Sequence, residues 1–286
     1  MANMGDTLTT GQFLRSGDYL VSQNGLFYAI LQYDGNFAIF WGNGPTVNAC
    51  RIWGGSDFNF GRDRFLVMQG DGNLCCYAGL DPTLQGGLLW QSGVAPGPGT
   101  YRCTLQNDGN LCVYPASGGA IWCTNTHVED SAGHFLWSSV ANPDAPSQAY
   151  LVLAAPDNPG LGSGLIVSIF SSGDPKQIWT KRTWTQNGNE VAFALINQAT
   201  GLYAYGPWNH DRVRLTDRLD AYALWTRGGD EYPYQPPRYA IRTFATDSWN
   251  LNVAGDDPYR PGTAVILWDW NSGPQGPPLN LTWYFQ

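Results

Sequence analysis

At 286 residues the chain is long enough for two domains, each with its own core. Thirteen Trp, fifteen Tyr, thirty-five Gly and nineteen Pro, with no long apolar run at helical spacing, point to an all-β protein rich in turns. A net charge of −8 and a pI near 4.7, with no stripe of Lys and Arg, argue against nucleic acid as a partner, because phosphate contacts need clustered cations.

No stretch has the length of apolar residues that spans a bilayer, so no membrane span is expected. The opening segment, MANMGDTLTTGQFLRSGDYL, is polar and lacks the basic and apolar regions of a secretory leader. Localisation stays open between a cytoplasmic protein, non-classical secretion and a leader missing from this sequence.

From residue 31 the chain repeats itself. LQYDGNFAIF at 31 to 40, MQGDGNLCCY at 68 to 77 and LQNDGNLCVY at 105 to 114 recur at a constant interval of 37 residues, which is a fold-level signal. The first copy contributes Gln32, Asp34, Asn36, Ala38 and Phe40; the second Gln69, Asp71, Asn73, Cys75 and Tyr77; the third Gln106, Asp108, Asn110, Cys112 and Tyr114. On a β-strand alternate side chains share a face, so each set of five forms one row with packed residues behind it. Amides that donate and accept, a carboxylate that accepts and a phenol complement the vicinal hydroxyls of a sugar ring. In the alternative, Asp-Gly is a hairpin turn between ordinary strands. Three copies in one register, each keeping amides that a turn does not require, weigh against it.

The motif Q-x-D-x-N with its closing aromatic, and the pairs Ile52-Trp53, Leu89-Trp90 and Ile121-Trp122 that end each repeat, resemble the monocot bulb-type mannose-binding lectins and their fish and fungal relatives. The resemblance covers roughly residues 5 to 127. It implies a β-prism II of three four-stranded sheets about a pseudo-threefold axis, with the Trp residues meeting in a shared core. It also implies one mannose site per motif: Asp and Asn hold the 2-hydroxyl, Gln the 3-hydroxyl and Tyr the 4-hydroxyl, and the i+6 residue packs on the ring. Phe40 lacks the hydroxyl of its counterparts, and one lost polar contact costs about 0.5–1.5 kcal/mol. The second and third sites are therefore expected to work and the first to be weak. Ala38, Cys75 and Cys112 stand where the family has Val. In related prisms the C-terminal strand is exchanged with a neighbour, which leaves a homodimer through the prism open.

All six Cys lie in the first half. Disulfides suit an even count, but Cys75 and Cys76 are adjacent and point to opposite faces, and Gly35 stands where plant relatives have a bridging Cys. Buried free thiols are the expectation. No CxxC pair or His cluster suggests a metal, and no cofactor is implied. His127 and His134 read as surface or packing residues.

The domain boundaries expected are a prism at 1–127, a connection at 128–147 and a second domain at 148–286. Within the connection, Phe135-Leu136-Trp137 is too apolar for a free linker and is expected to pack on one domain. Beyond it a second threefold pattern appears, with sections ending at Gln177-Ile178-Trp179, Leu224-Trp225 and Trp283, which favours a closed β architecture. DPKQIW, FALINQATG, ALWTRG, YAIRTF and GTAVILWDWNSG, in this order, resemble the Euonymus-type lectin domain, a ricin-like β-trefoil. That resemblance implies a glycan site on Asn252, Trp268 and Asn280, with Asn252 standing where such sites prefer Asp and Asp256 the nearby acid that could compensate; in the alternative, Trp268 and Trp270 are partly core. Asn280-Leu281-Thr282 is a glycosylation sequon only for a secreted chain.

A glycosidase needs two carboxylates flanking the scissile bond. The motif aspartates occur singly between amides, and Asp256-Asp257 and Asp230-Glu231 read as solvated loop charges. The expectation is a non-enzymatic, multivalent lectin that cross-links mannose-containing glycans through the first domain and binds a second glycan through the other, in a defence role. The alternative is an antibacterial or toxin-like protein that uses the same scaffold for protein or membrane contacts.

Overall fold

A computed structural model describes all residues except 43, 46–48, 56–60, 142–149, 229–236, 247, 256–258 and 270–278. Asp230, Glu231, Asp256, Asp257 and Trp270, discussed above, lie outside the described residues. The chain divides into two compact units, Met1–Val128 with Thr185–Asn189, and Glu129–Trp184 with Glu190–Gln286. Both are all-β, with no α-helix among the described residues.

Unit 1 opens with three short strands, β1 (Thr7–Thr9), β2 (Phe13–Arg15) and β3 (Tyr19–Val21). The first repeat then supplies β4 (Phe27–Leu31), β5 (Phe37–Trp41) and β6 (Cys50–Gly54). The second supplies β7 (Arg64–Met68), β8 (Leu74–Ala78) and β9 (Leu88–Gln91), and the third β10 (Tyr101–Leu105), β11 (Leu111–Pro115) and β12 (Trp122–Cys123). Each repeat takes one opening strand, in reverse order, to complete a four-stranded sheet: β3-β4-β5-β6, β2-β7-β8-β9 and β1-β10-β11-β12. The central residues of the opening strands, Leu8, Leu14 and Leu20, are fully buried, so one apolar side chain anchors each. The arrangement is consistent with a β-prism.

The 37-residue interval carries into the core. Ala29, Leu66 and Cys103 are equivalent, as are Leu31, Met68 and Leu105, then Phe37, Leu74 and Leu111, then Ile39, Cys76 and Val113, and all twelve are buried. Free Cys76 and Cys103 thus stand where other copies place Ile, Val, Ala or Leu, as small hydrophobes. Burial pushes the Cys76 thiol up to about 12 and raises that of Cys103 as well, so both stay protonated. Trp53, Trp90 and Trp122 meet edge to face at ring distances of 5.9 to 6.1 Å. They are half-buried, so the deep core is the aliphatic and Phe set rather than the Trp triangle.

Cys112 and Cys123 correct the expectation of free thiols throughout. They sit directly opposite each other on β11 and β12 and form a disulfide, while Cys50, Cys75, Cys76 and Cys103 remain free and buried. Pairing depends on strand register, which Cys spacing does not reveal.

The remaining strands are β13 (Thr126–His134), β14 (Leu136–Ala141), β15 (Tyr150–Ala154), β16 (Ile166–Ile169), β17 (Trp179–Gln186), β18 (Asn189–Asn197) and β19 (Tyr203–Tyr205). They continue with β20 (Arg214–Thr216), β21 (Leu224–Arg227), β22 (Tyr239–Thr243), β23 (Trp249–Val253), β24 (Val265–Asp269) and β25 (Thr282–Phe285). Residues 128 to 134 and 136 to 141, within the expected connection at 128–147, are thus strand, and Leu136 of the apolar triplet is fully buried in the unit 2 core.

Unit 2 is internally threefold in its hydrogen bonding. Leu165 N–H donates to Val213 O at 2.7 Å, Val213 N–H to Val265 O at 2.9 Å, and Val265 N–H to Leu165 O at 2.9 Å, which closes a ring. Three fully buried tryptophans repeat the relation further out. Trp179, Trp225 and Trp283 donate their indole N–H to the carbonyls of Leu153, Ala204 and Leu251, on the hairpins β15–β16, β19–β20 and β23–β24. A buried indole without such a partner would carry a desolvation cost, so each Trp both fills the core and fixes one hairpin.

Among the described residues no helix is long and apolar enough to cross a membrane, and no group of three or more His, Cys, Asp and Glu is placed to hold a metal ion.

Replacing both Cys112 and Cys123 by Ala is expected to lower the unfolding free energy by about 2–3 kcal/mol in urea, for a bridge spanning this short a loop. Denatured, unreduced protein should show four reactive thiols; six would remove the bridge from the account.

His134 supplies a second test, in unit 2. Its ring meets Phe285 edge-on and bonds Ser131 Oγ at 2.6 Å. Burial lowers its pKa, and the Lys181 and Arg227 cations lower it further. The unfolded chain, with a His value of about 6.5, therefore takes up the proton first as pH falls. Stability is complete above that value and declines as pH drops through the lower folded one. His134→Gln should flatten the decline in melting temperature between neutral and mildly acid pH. An equal decline in both proteins would exclude His134 as its source.

Candidate functional site

The structure corrects the reading of the motif as one extended row. In every copy Gln-x-Asp-Gly-Asn is the turn of a hairpin, between β4 and β5, β7 and β8, or β10 and β11. Gln32 N–H donates to Asn36 O at 2.8 Å, Gln69 N–H to Asn73 O at 2.9 Å, and Gln106 N–H to Asn110 O at 2.8 Å. Within the turn the Asp carboxylate accepts from the backbone amide of Asn two residues on, at 2.9 Å in all three copies. Gly35, Gly72 and Gly109 sit between them at φ of 87°, 93° and 81°, a left-handed conformation that favours Gly. Only the fourth and fifth positions of each set lie on a strand.

The amides persist because the Asn side chain ties the turn to the next strand. Asn73 is buried; its Nδ2 donates to Gln91 Oε1 at 2.8 Å, and its Oδ1 accepts from Ser92 Oγ at 2.8 Å and Gly93 N–H at 3.2 Å. Asn110 Oδ1 accepts from Thr124 Oγ1 at 3.0 Å. Asn73 does not face solvent, because a turn amide bonded to residues 91 to 93 must sit between the two segments. Ser92 and Thr124 complete the link by accepting from Leu74 N–H and Leu111 N–H, both at 3.1 Å. They follow the closing Trp by two residues in Trp90-Gln91-Ser92 and Trp122-Cys123-Thr124; the first copy has Trp53-Gly54-Gly55 and no hydroxyl. That small pattern was the missed signal for these supporting residues.

In the second copy Gln69 Nε2 donates to Tyr77 Oη at 3.0 Å, and the Cys75 thiol donates to Gln69 Oε1 at 3.0 Å. Burial lifts the Cys75 thiol to about 11, so it keeps its proton for that bond. Burial also raises the Tyr77 phenol. The phenol therefore stays protonated and accepts from Gln69, with the Cys75 sulfur as a second neighbour, while Asp71 Oδ2 makes no hydrogen bond to a described residue. Phe13, Phe65 and Val67 pack with Cys75 and Tyr77 into an apolar floor on this face of the sheet.

The third copy repeats the pair, with Gln106 Nε2 donating to Tyr114 Oη at 2.7 Å. It differs around the edge. Arg102 lies over the Tyr114 ring at 4.7 Å, Cys112 is bridged to Cys123, and His127 Nδ1 lies 3.1 Å from Asp108 Oδ2. His127, expected as a bystander, thus touches the motif carboxylate.

The first copy keeps the turn but not the pair, since Phe40 offers Gln32 no hydroxyl and instead stacks on Tyr28 at 5.0 Å. Asp34 is exposed, and Ala38 is buried opposite Gly54.

In unit 2 the structure brings two of the three expected residues, Asn252 and Asn280, into direct contact. Asn252 is buried and accepts from Asn280 Nδ2 at 3.1 Å, and Asn280 also donates to Val253 O at 3.3 Å. Trp268, on β24, is 40% exposed, and its ring partner is His210 at 4.1 Å. The two amides bond each other and the backbone, while Trp268 lies on the strand paired with that of Asn252.

No protein-family model and no curated protein matches the chain. Among solved structures, a monomeric monocot mannose-binding lectin from Gastrodia elata is 30% identical over 43% of this chain and 98% of that one, with a TM-score of 0.36. The mannose-specific agglutinin from snowdrop (Galanthus nivalis) bulbs, complexed with methyl-α-D-mannoside, is 30% identical over 41% and 94%, with a TM-score of 0.33. A Marasmius oreades lectin is 28% identical over 43% and 94%, with a TM-score of 0.35. The N-terminal part of the chain, about 43% of it, is thus similar to bulb-type mannose-binding lectins.

Proposed function

We propose that the chain is a non-enzymatic lectin whose unit 1 binds mannose-containing glycans through the second and third motif copies. One observation carries the reading: the same turn presents a carboxylate oxygen and a Gln–Tyr pair in both copies, over buried i+6 residues. A Gln already bonded to its phenol costs little further ordering when a hydroxyl arrives. The Asp oxygen not used by the turn accepts from one sugar hydroxyl, in the third copy beside its contact with His127, while the phenol donates to another and the packed face covers the C–H side of the ring. The first copy, without phenol or supporting hydroxyl, is the weak one.

Unit 2 is read as a β-trefoil with a second glycan specificity, supported by its closed backbone ring and its three equivalent tryptophans. Two unlike modules on one chain suit cross-linking of glycan-coated surfaces, where several weak sites raise avidity by about 10²–10⁴. A defence role and a homodimer through unit 1 belong to the same proposal.

Retention on a mannan column with elution by methyl mannoside is the expected behaviour; retention that ignores sugar and responds to salt would favour a protein- or membrane-directed use of the scaffold. Changing Tyr77 and Tyr114 to Phe together should weaken mannan binding by about tenfold, the scale of one or two lost hydrogen bonds, while unfolding stays cooperative with a stability loss of about 1–2 kcal/mol from the two Gln bonds. Asn73→Ala should also cost about 1–3 kcal/mol of stability, because Gln91 and Ser92 lose their partner inside the fold. Unchanged stability would show that the Asn73 bonds are not formed in solution. Phe40→Tyr should strengthen mannan binding by giving Gln32 its missing partner, and no gain would mean that the first copy fails for another reason.

A further inference from the structure

The threefold ring in unit 2 has a second layer that exposes one departure. Leu215 N–H donates to Ser163 O, Leu267 N–H to Asp211 O and Val167 N–H to Thr263 O, all at 2.9 Å. Outside these, Gly162 N–H donates to Leu215 O and Gly262 N–H to Val167 O, both at 2.8 Å, and His210 N–H donates to Leu267 O at 3.0 Å. The three donors are equivalent and share a left-handed backbone, with φ of 81°, 89° and 62°. Two are Gly, for which that conformation is free; at the third junction a side chain is carried at a steric cost.

That side chain lies against a second departure. The ring of His210 stacks on Trp268 at 4.1 Å, tilted by 31°, and its Nε2 lies 3.5 Å from Asp269 Oδ2. The residues equivalent to Trp268 and Asp269 are Thr216 and Asp217 at one junction and Ser168 and Ile169 at the other, so neither has the aromatic. Trp268 remains 40% exposed, and the side chains of His210 and Asp269 are each about half exposed. Trp208, in the turn closed by Asp211 N–H on Trp208 O, is 66% exposed.

We infer that His210, Trp268 and Asp269 form a saccharide site at this junction, in place of the Asn252 and Asn280 pair. It deepens the reading of unit 2 as a glycan binder and rests on it. The exposed part of the indole, which the imidazole leaves uncovered, takes the C–H face of a neutral pyranoside. The imidazole and carboxylate stand farther apart than a formed N–H···O bond, about 2.7–3.2 Å, yet close enough for one sugar hydroxyl to bridge them, accepting from the imidazole N–H and donating to the carboxylate. The site draws on two neighbouring repeats, so only this junction has it.

The test uses the full chain labelled with 5-fluorotryptophan, with the Trp268 resonance identified from Trp268→Phe. Methyl glycosides of the gluco, galacto and N-acetylgalactosamine configurations are titrated while fluorine spectra are recorded. At least one is expected to shift the Trp268 signal, and Asp269→Asn and His210→Gly should each weaken that binding by about tenfold, the scale of one lost hydrogen bond. His210→Gly installs the residue that the other two junctions already carry, so it preserves the fold. A glycoside that shifts other unit 2 signals, with Trp268 and both variants indifferent, would overturn this junction and leave the glycan reading standing. No shift from any glycoside, on the labelled chain or on an array of larger glycans, would overturn both. Mannan retention should be unchanged in all variants.

Discussion

The hydrogen bond from the Asn backbone amide to the Asp carboxylate, formed in each of the three motif turns, is the contact on which unit 1 depends. It holds a left-handed Gly between two polar side chains, reverses the chain and orients one carboxylate oxygen away from the turn. From that reversal come the antiparallel pairs that put Ile39, Cys76 and Val113 inward and Phe40, Tyr77 and Tyr114 outward. Folding and recognition therefore share residues. The Asn that completes the turn also reaches the last strand of its sheet, and the Asp that caps the turn is the acid offered to a ligand.

Both units repeat three times, by different means. Unit 1 repeats a side-chain motif at constant spacing, and its opening segment stitches the three sheets together one strand at a time. Unit 2 repeats a backbone relation, a ring of N–H to carbonyl bonds, with a buried Trp pinning each hairpin. Backbone bonds place few demands on side-chain identity. The segments between them have diverged in length and composition, and one junction carries His210 and Trp268 where the others carry Gly with Ser or Thr.

This difference decides what could be read from the sequence. The 37-residue interval exposed the three copies, the sets of five and the weakness of Phe40, because side chains are written in the chain. Strand periodicity misplaced the motif, since an Asp-Gly turn whose amides also bind a neighbouring strand looks like a repeated polar row. The Cys112–Cys123 bridge depends on register, and the role of His127 on which strand lies beside the turn, so neither is visible in spacing; Ser92 and Thr124 left only their place two residues after the closing Trp. The trio on Asn252, Trp268 and Asn280 came from resemblance alone, and the packing of β23 against the final turn turned the two amides toward each other.

The central claim is that two of three chemically similar turns are competent to hold a hexose and one is not. Amide chemical shifts of uniformly labelled protein, followed during titration with methyl α-mannoside, test it most directly. The account predicts that Gly72, Asn73, Gly109 and Asn110 move in saturable fashion while Gly35 and Asn36 stay near their starting positions. Stationary signals for all six, at concentrations where weak sugar binding saturates, would contradict it.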